Sequence, residues 1–392
     1  MTVLRDFSVQ AATAGLLSAF VGAAASFAIV VQGLSAAGAS PKEAASGLMA
    51  LSFAMGFCGI YLSFKSRLPI SIAWSTPGAA LLATTGAPES GFASAVGAFL
   101  LTGVLIILAG LWKPLGRWVS AIPTPIAGAM LAGVLLVFCL APIQAVGEDP
   151  WLSLPVIAAW ALMFRINRLY AVPAALLVTI FIIALSGQGV PQDAARFWPD
   201  PVLVVPVFDI GALVGIGLPL FLVTMASQNI PGMAVLNANG YTPPAGPLFV
   251  TTGAFTLAAA PFGGHAVNLA AITAAMCAGE DAHADPARRY WAAVVAGAGY
   301  VVFAVFAGFF TALIAASPTY LINAVAGLAL LATFGAALTS AVSDPDLREP
   351  AVITFIVTAS GLSFFGVGSA FWGLVAGIAM HAILKAWRKP ST

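Results

Sequence analysis

A break inside one apolar segment places small polar residues where a helix would otherwise continue. The segment follows Pro69 with a β-branched stretch and then reads Ser75-Thr76-Pro77-Gly78. Serine and threonine cap helices, and proline is favoured in the first helical turn, so a short helix is predicted to begin at Pro77. The unpaired N–H groups and partial positive charge of its amino terminus could bind an anion without lysine or arginine.

A second break follows the same plan about 190 positions later. It runs from Pro261 through Gly264, His265 and Ala266 to Asn268. Glycine allows close backbone approach, and a short helix is predicted to begin near His265. We expect both helix starts to face one point, with Gly264 and Ala266 as further N–H donors and Asn268 beside them. The alternative is that both breaks are kinks whose polar groups are satisfied internally.

Three amide side chains lie in otherwise apolar surroundings. Gln228 and Asn229 precede Pro231, and Gln32 occupies the matching place in the first apolar segment. Burying amides without partners costs several kcal/mol, which favours a role for Gln228 and Asn229 in binding the anion. They could instead satisfy the broken backbone around His265. For Gln32, substrate contact and bonding between helices are equally open.

His265 is the ionisable side chain, apart from cysteine and tyrosine, that the sequence places deep in an apolar segment. Protonation of this residue and binding of a neighbouring carboxylate would favour each other, which is the thermodynamic form of proton-coupled transport. Two alternatives stay open. The histidine could be neutral and donate to a carbonyl of the broken segment, or the substrate could carry the proton itself as a weak acid.

The composition defines the medium in which these segments lie. Hydrophobic residues make up 61% of the 392 positions and charged residues only 7%. Soluble domains carry about 25% charged residues, so the chain is predicted to be an integral membrane protein in a lipid bilayer. The net charge of +1 gives no reason to expect a nucleic-acid partner. The three cysteines lie in apolar runs without a metal or disulfide pattern, and no metal or cofactor is expected.

Apolar runs separated by polar, proline and glycine residues predict fourteen membrane-spanning segments. They run near 11–34, 44–64, 69–86, 91–111, 120–141, 151–166, 169–186, 210–230, 245–260, 262–278, 289–315, 318–341, 349–365 and 367–387. With both termini in the cytoplasm, thirteen of the fifteen basic residues fall on the cytoplasmic side, as the positive-inside rule requires.

The two halves of the sequence resemble each other at a nearly constant offset. Pro123 and Pro318 open segments 5 and 12, and Pro155 and Pro350 begin segments 6 and 13, each pair 195 positions apart. Because seven is an odd number, the second copy must be inverted in the membrane, which is a transporter architecture. The predicted fold is therefore an all-α membrane protein of two inverted repeats of seven segments, with segments 3 and 10 each a short strand plus a half-helix.

Other function classes fit the sequence less well. A membrane-embedded enzyme would need an acid–base pair or metal cluster inside the bilayer, and all fourteen acidic residues lie in loops or at segment ends. A channel or uniporter for small organic anions is the alternative to a carrier. A carrier saturates and accumulates its substrate, whereas a channel conducts without saturation.

With these motifs, the sequence resembles the benzoate–proton symporter (BenE) family over essentially its whole length. The resemblance is carried by the stretches SQNIPGMAVL at 227–236, PFGGHAVNLA at 261–270, GEDAHADPARRY at 279–290 and WSTPG at 74–78. It implies a bacterial inner-membrane protein that imports benzoate, or a similar aromatic carboxylate, together with a proton that His265 or the substrate carries.

The resemblance also implies the larger fold of nucleobase and sulfate or bicarbonate carriers, whose members are often dimers through the gate domain. In that fold a core domain, residues 1–111 and 201–315, moves against a gate domain, residues 112–200 and 316–392. The nucleobase carriers use membrane-embedded glutamates near segments 8 and 10. This chain has none there, which is consistent with an anionic substrate.

Overall fold

A computed structural model describes residues 6–112, 114, 122–185, 198–271, 273–362, 364 and 367–387 of the chain. These residues are mostly helical, with a single pair of short strands among them. The elements are α1 Val9–Ala36, α2 Pro41–Ser66, β1 Ile72–Trp74, α3 Thr76–Thr85, α4 Phe92–Leu111, α5 Thr124–Glu148, α6 Pro150–Ile166, α7 Ala171–Leu185, α8 Ile210–Ala238, α9 Ala245–Ala259, β2 Val267–Leu269, α10 Ala274–Ala278, α11 Tyr290–Val305, α12 Ala307–Ala316, α13 Thr319–Ala341, α14 Arg348–Ala359 and α15 Ser369–Trp387.

Each of the fourteen predicted segments has a counterpart in the fold. In the described ranges, eight helices are long and apolar enough to cross a membrane, and α11 with α12 forms a ninth span bent by 62°. The remaining five segments are shorter or broken: β1 with α3, α6, β2 with α10, α14, and α15. The chain is therefore a mostly helical, multi-pass membrane protein, as predicted.

Several loops meet the amino terminus on one face of the protein. Arg67 forms an ion pair with Asp6 at 3.1 Å, and Nε of Arg288 donates to the Asp6 carbonyl at 3.0 Å. The Tyr241 hydroxyl donates to the Pro286 carbonyl at 3.0 Å. The loops after α2, α8 and α10 thus lie where α1 begins, which we call the N-terminal face. Its assignment to the cytoplasm stays a prediction.

The helices pack in two sets. In one set α1 packs on α3 and α11, α2 on α11, and α4 on α9; in the other α5 packs on α13 and α14, and α14 on α15. A separate apolar cluster joins α6, α7 and α13 through Val156, Ala175, Leu321, Val325 and Leu328. The division of the chain into a core and a gate domain, and the relative movement of the two, stay predictions.

The two strands form an antiparallel ladder between the halves of the chain. Backbone polar groups inside a membrane must be paired within the protein, and here side chains complete the outer edge of β2. Oγ1 of Thr256 accepts the N–H of Val267 at 3.0 Å, and Oδ1 of Asn229 accepts the N–H of Leu269 at 2.9 Å. The paired residues are Ile72 with Leu269, Ala73 with Asn268, and Trp74 with Val267.

The helix predicted to begin near His265 begins instead at Ala274. Residues 267–269 pair with β1 and hold the chain extended, and Gly263, with φ of +91°, turns the chain into that stretch. The prediction was wrong because pairing with a distant strand outweighed the local helix signal.

Helix α8 does not end at Pro231 but continues to Ala238. A π-helical turn covers Met225–Asn229, and the N–H of Ile230 bonds to the Met225 carbonyl five positions earlier. This wider turn accommodates Pro231, which has no N–H to donate to the preceding turn. It also sets the direction of the polar side chains that precede the proline.

Helix α1 packs closely against α3 at Gly33, where a built Cβ would lie 2.4 Å from the Ala79 carbonyl oxygen. Gly33→Ala should therefore push the helices apart and lower the free energy of unfolding by about 1–3 kcal/mol. Gly335→Ala is the matched control, because nothing lies within 4 Å of its built Cβ. Thermal unfolding in detergent measures both variants. An unchanged melting temperature for Gly33→Ala would show that the two helices do not pack this closely.

Candidate functional site

Two connected cavities lie between the two sets of helices. The larger has a volume of about 560 Å³ and the smaller about 70 Å³. Because they share part of their lining, the small cavity is an inner extension of the large one. The shared residues are Val21, Ala25, Gln228, Ala271, Ala329 and Thr333.

The large cavity runs from a buried inner end to the N-terminal face. Gln228, at the inner end, is only 5% exposed, whereas Thr124 and Arg168 at the other end are exposed. Ser340 also lines the outer part and donates from Oγ to the Thr124 carbonyl at 3.2 Å. The wall is mostly apolar and includes α1 and α8 on one side and α5 and α13 on the other.

The small cavity lies where both short helices begin. Thr76 and Pro77 of α3 line it, as does Thr273, which immediately precedes α10. Trp74 and Tyr300 also line this cavity, and Nε1 of Trp74 donates to Oγ of Ser26, another lining residue, at 2.7 Å. The amino-terminal end of the ten-residue helix α3 therefore points its partial positive charge at this cavity.

Ser75 caps α3, as the sequence predicts. Its Oγ accepts the N–H of Gly78 at 3.1 Å and the hydroxyl of Thr224 at 2.9 Å, while its own N–H donates to the Ala266 carbonyl at 3.1 Å. Ser75 and Gly78 are buried and line neither cavity. They therefore position the helix start, and Thr76 and Pro77 present it to the cavity.

The second break does not offer the predicted donors. The N–H of Gly264 donates to the Ala259 carbonyl at 3.0 Å, and that of Ala266 donates to Nδ1 of His265 at 2.7 Å. Asn268 lies in the ladder, and with its amide turned so that both atoms are bonded, its oxygen accepts the N–H of Ser75 at 3.0 Å, which is shared with the Ala266 carbonyl. The N–H groups of Gly264 and Ala266 and the Asn268 amide thus bond to other groups of the protein. The three residues line neither cavity, so the structure does not bring them to the predicted site.

His265 is fully buried and lies outside both cavities. Its ring packs edge-on against Phe99, with centroids 6.4 Å apart. Its Nδ1 accepts the N–H of Ala266 at 2.7 Å. Nε2 has no hydrogen-bond partner among the described residues. The structure thus places this histidine in the support of the broken segment rather than in the cavity wall.

The three predicted amides have different surroundings. Gln228 lines both cavities, and its side chain makes no hydrogen bond to any described residue. Asn229 is fully buried, where it holds the edge of β2 and donates to Sδ of Met225 at 3.1 Å. Gln32 lines neither cavity, and its Nε2 is buried with no partner in the described part of the chain. Gln228 is therefore the predicted amide that is available to a ligand.

Sequence reasoning missed several residues of the cavity walls. Tyr300 is a polar aromatic residue in an otherwise apolar segment, which was a usable signal. Trp160, Phe164 and Arg168 recur at intervals of four and line the outer part of the large cavity. The spacing of Trp160 and Phe164 indicates one helix face, but only the packing of α6 and of the turn that carries Arg168 shows that these side chains border a cavity.

The sequence matches a family model described as benzoate membrane transport protein (BenE) over residues 5–383. It is similar to inner membrane protein YdcO of Escherichia coli, with 40% identity over 97% of this chain and 98% of that protein. It is also similar to the benzoate membrane transport protein of Acinetobacter baylyi, with 33% identity over 98% of this chain and 97% of that protein.

Solved structures with the same fold include the transmembrane domain of a cyanobacterium bicarbonate transporter, BicA. Its TM-score is 0.59 at 14% identity, over 95% of this chain and 98% of that chain. The structure of SLC26A9 gives a TM-score of 0.62 at 13% identity, over 99% of this chain and 68% of that chain. At these identities the similarity establishes the fold alone.

Proposed function

Because this chain belongs to the family of benzoate membrane transport proteins, we propose that it carries benzoate, or a closely related aromatic carboxylate, into the cell together with a proton. The family and the many apolar helices make it a multi-pass transport protein of the inner membrane. The substrate, the proton and the mechanism of movement are the proposed part.

The position of Gln228 carries the proposal. Its amide, which makes no hydrogen bond to a described residue, lies where the two cavities meet, in the wall that also contains the start of α3 at Thr76. A carboxylate there would accept hydrogen bonds from the Gln228 amide and lie in the positive field of the helix end. The benzene ring would extend along the apolar surface of Val21, Ala271 and Ala329.

The cavity also supports alternating access. It reaches the N-terminal face between α1 and α8 on one side and α5 and α13 on the other. Opening to the opposite face would then need the set containing α5 and α13 to move against the set containing α1 and α8. Transporters built from inverted repeats commonly work by such movement around a site near the membrane midplane.

Two routes for the proton were open from the sequence. The burial of His265 outside both cavities favours the route in which the substrate carries the proton as a weak acid. No described residue that lines either cavity is acidic, so no side-chain carboxylate competes with the substrate there.

The test is uptake of labelled benzoate into proteoliposomes with and without an imposed inward proton gradient, for wild type and His265→Gln. Protein-free liposomes subtract diffusion of the undissociated acid. We expect saturable uptake, concentration of benzoate only with the gradient, and the same behaviour in a folded His265→Gln protein.

The other outcomes separate the alternatives. A variant that only equilibrates benzoate, while wild type concentrates it, would assign proton coupling to His265. Conductance that does not saturate would identify an anion channel. Absence of saturable benzoate uptake in wild type would point to another anion as the substrate.

A further inference from the structure

The outer part of the large cavity is lined by two aromatic residues of α6 and by an arginine of the turn that follows this helix. The rings of Trp160 and Phe164 stack with centroids 4.9 Å apart and an interplanar angle of 27°. The guanidinium carbon of Arg168 lies 4.9 Å from the centroid of Phe164. All three residues border the cavity, and we call them the α6 row.

The turn after α6 determines the position of Arg168. Helix α6 ends at Ile166, and the side chain of Asn167 caps the following 3₁₀ turn by accepting the N–H of Leu169 at 3.0 Å. Arg168 is the first residue of that turn. Its guanidinium therefore lies over Phe164 at the end of the aromatic stack, where the cavity opens at the N-terminal face.

Arg168 is the one charged side chain among the described residues that line the large cavity. It is exposed, and no carboxylate in the described ranges lies within ion-pair distance of it. A guanidinium stacked on an aromatic face keeps its N–H edges free for a carboxylate, which it can bind through two parallel hydrogen bonds.

We infer that the α6 row is a second subsite, which binds an aromatic carboxylate at the N-terminal face before it leaves the cavity or when it returns. This inference rests on the proposed function. The carboxylate pairs with the guanidinium of Arg168, while the benzene ring lies against Trp160 and Phe164, as aromatic rings prefer. The inner site around Gln228 and the α6 row share one cavity, so the substrate passes from one to the other without crossing a barrier of buried charge.

A subsite at one face makes the two faces unequal. Substrate applied from the N-terminal face meets Arg168 first, whereas substrate from the opposite face reaches the inner site first. Loss of Arg168 should therefore weaken apparent affinity at the N-terminal face alone. Because the pair is exposed to water, its contribution should also fall as salt concentration rises.

The experiment measures the benzoate concentration that gives half-maximal transport from each face, in right-side-out and inside-out vesicles. Proteolysis of an amino-terminal tag determines the orientation of the protein in each preparation. The variants are Arg168→Gln, Arg168→Lys and Arg165→Gln. Arg165 is the matched control because it is exposed on the same stretch but does not line the cavity.

We expect Arg168→Gln to raise the half-saturation concentration about three- to tenfold at the N-terminal face and less than about twofold at the other. Arg168→Lys should give an intermediate value, because lysine keeps the charge but not the paired bonds, and it provides the test if the glutamine variant fails to fold. Arg165→Gln should match wild type. Salt should weaken wild-type affinity at the N-terminal face more than that of Arg168→Gln.

Equal effects at both faces, or equal effects of Arg165→Gln and Arg168→Gln, would overturn the subsite while wild-type transport stood. Absence of saturable benzoate transport in wild type from either face would overturn the proposed function and the subsite together.

Discussion

Gln228→Ala should weaken apparent affinity for benzoate about ten- to hundredfold, because a hydrogen bond to a charged group contributes about 1.5–3 kcal/mol. Gln228 lines both cavities without a hydrogen bond to a described residue, so its truncation breaks no hydrogen bond within the described part of the fold. The melting temperature should stay close to wild type. Gln228→Glu should bind more weakly still, because a second carboxylate would repel the substrate.

Substitution of the neighbouring amide, Asn229, should affect stability as well as transport. Asn229→Ala removes the acceptor of the Leu269 N–H and should lower the melting temperature together with transport. Gln144→Ala, at an exposed position on α5, should change neither property. Binding and thermal unfolding of the purified variants measure both effects. Wild-type affinity in a folded Gln228→Ala protein would mean that the carboxylate binds elsewhere.

Ala329→Phe should reduce benzoate uptake to the level of protein-free liposomes. Ala329 borders both cavities, so a phenyl group there would occupy the space proposed for the benzene ring. The cavity of about 560 Å³ can hold the added ring without displacing the packed core, and the protein should remain folded.

Position 335 on the same helix provides the matched control for Ala329→Phe. Gly335→Phe adds a larger side chain on α13, but nothing lies within 4 Å of its built Cβ, so transport should continue. Uptake of labelled benzoate and the elution profile in detergent distinguish a blocked site from a misfolded protein. Normal uptake by a folded Ala329→Phe protein would place the ring outside the junction of the cavities.

The sequence was sufficient where the interactions are local. Ser75 caps α3 because the serine, the proline two positions later and the following apolar residues all favour a helix start at that point. Hydrophobic runs predicted the segments because burial in a bilayer depends on composition over about 20 residues. The shared face of Arg67 and Arg288 followed from the alternation of those segments.

The sequence was insufficient to predict structure that depends on contacts between residues far apart in the chain. Residues 267–269 favour a strand only because β1 is available as a partner, so the helix start near His265 was misplaced. The same pairing assigns Asn229 to the edge of β2 and leaves its neighbour Gln228 for the cavity. The π-helical turn before Pro231 separates these two amides, and nothing in the local pattern indicates which one faces inward.

The ladder between β1 and β2 also has a consequence for how the protein is made. Ile72 and its partner Leu269 are 197 positions apart, so the ribosome completes β1 long before β2 exists. Until then, the extended stretch before α3 lacks the strand that pairs its backbone inside the lipid. The first half of the polypeptide therefore cannot reach its final state alone, and biogenesis must end with a closure step that joins an early and a late segment.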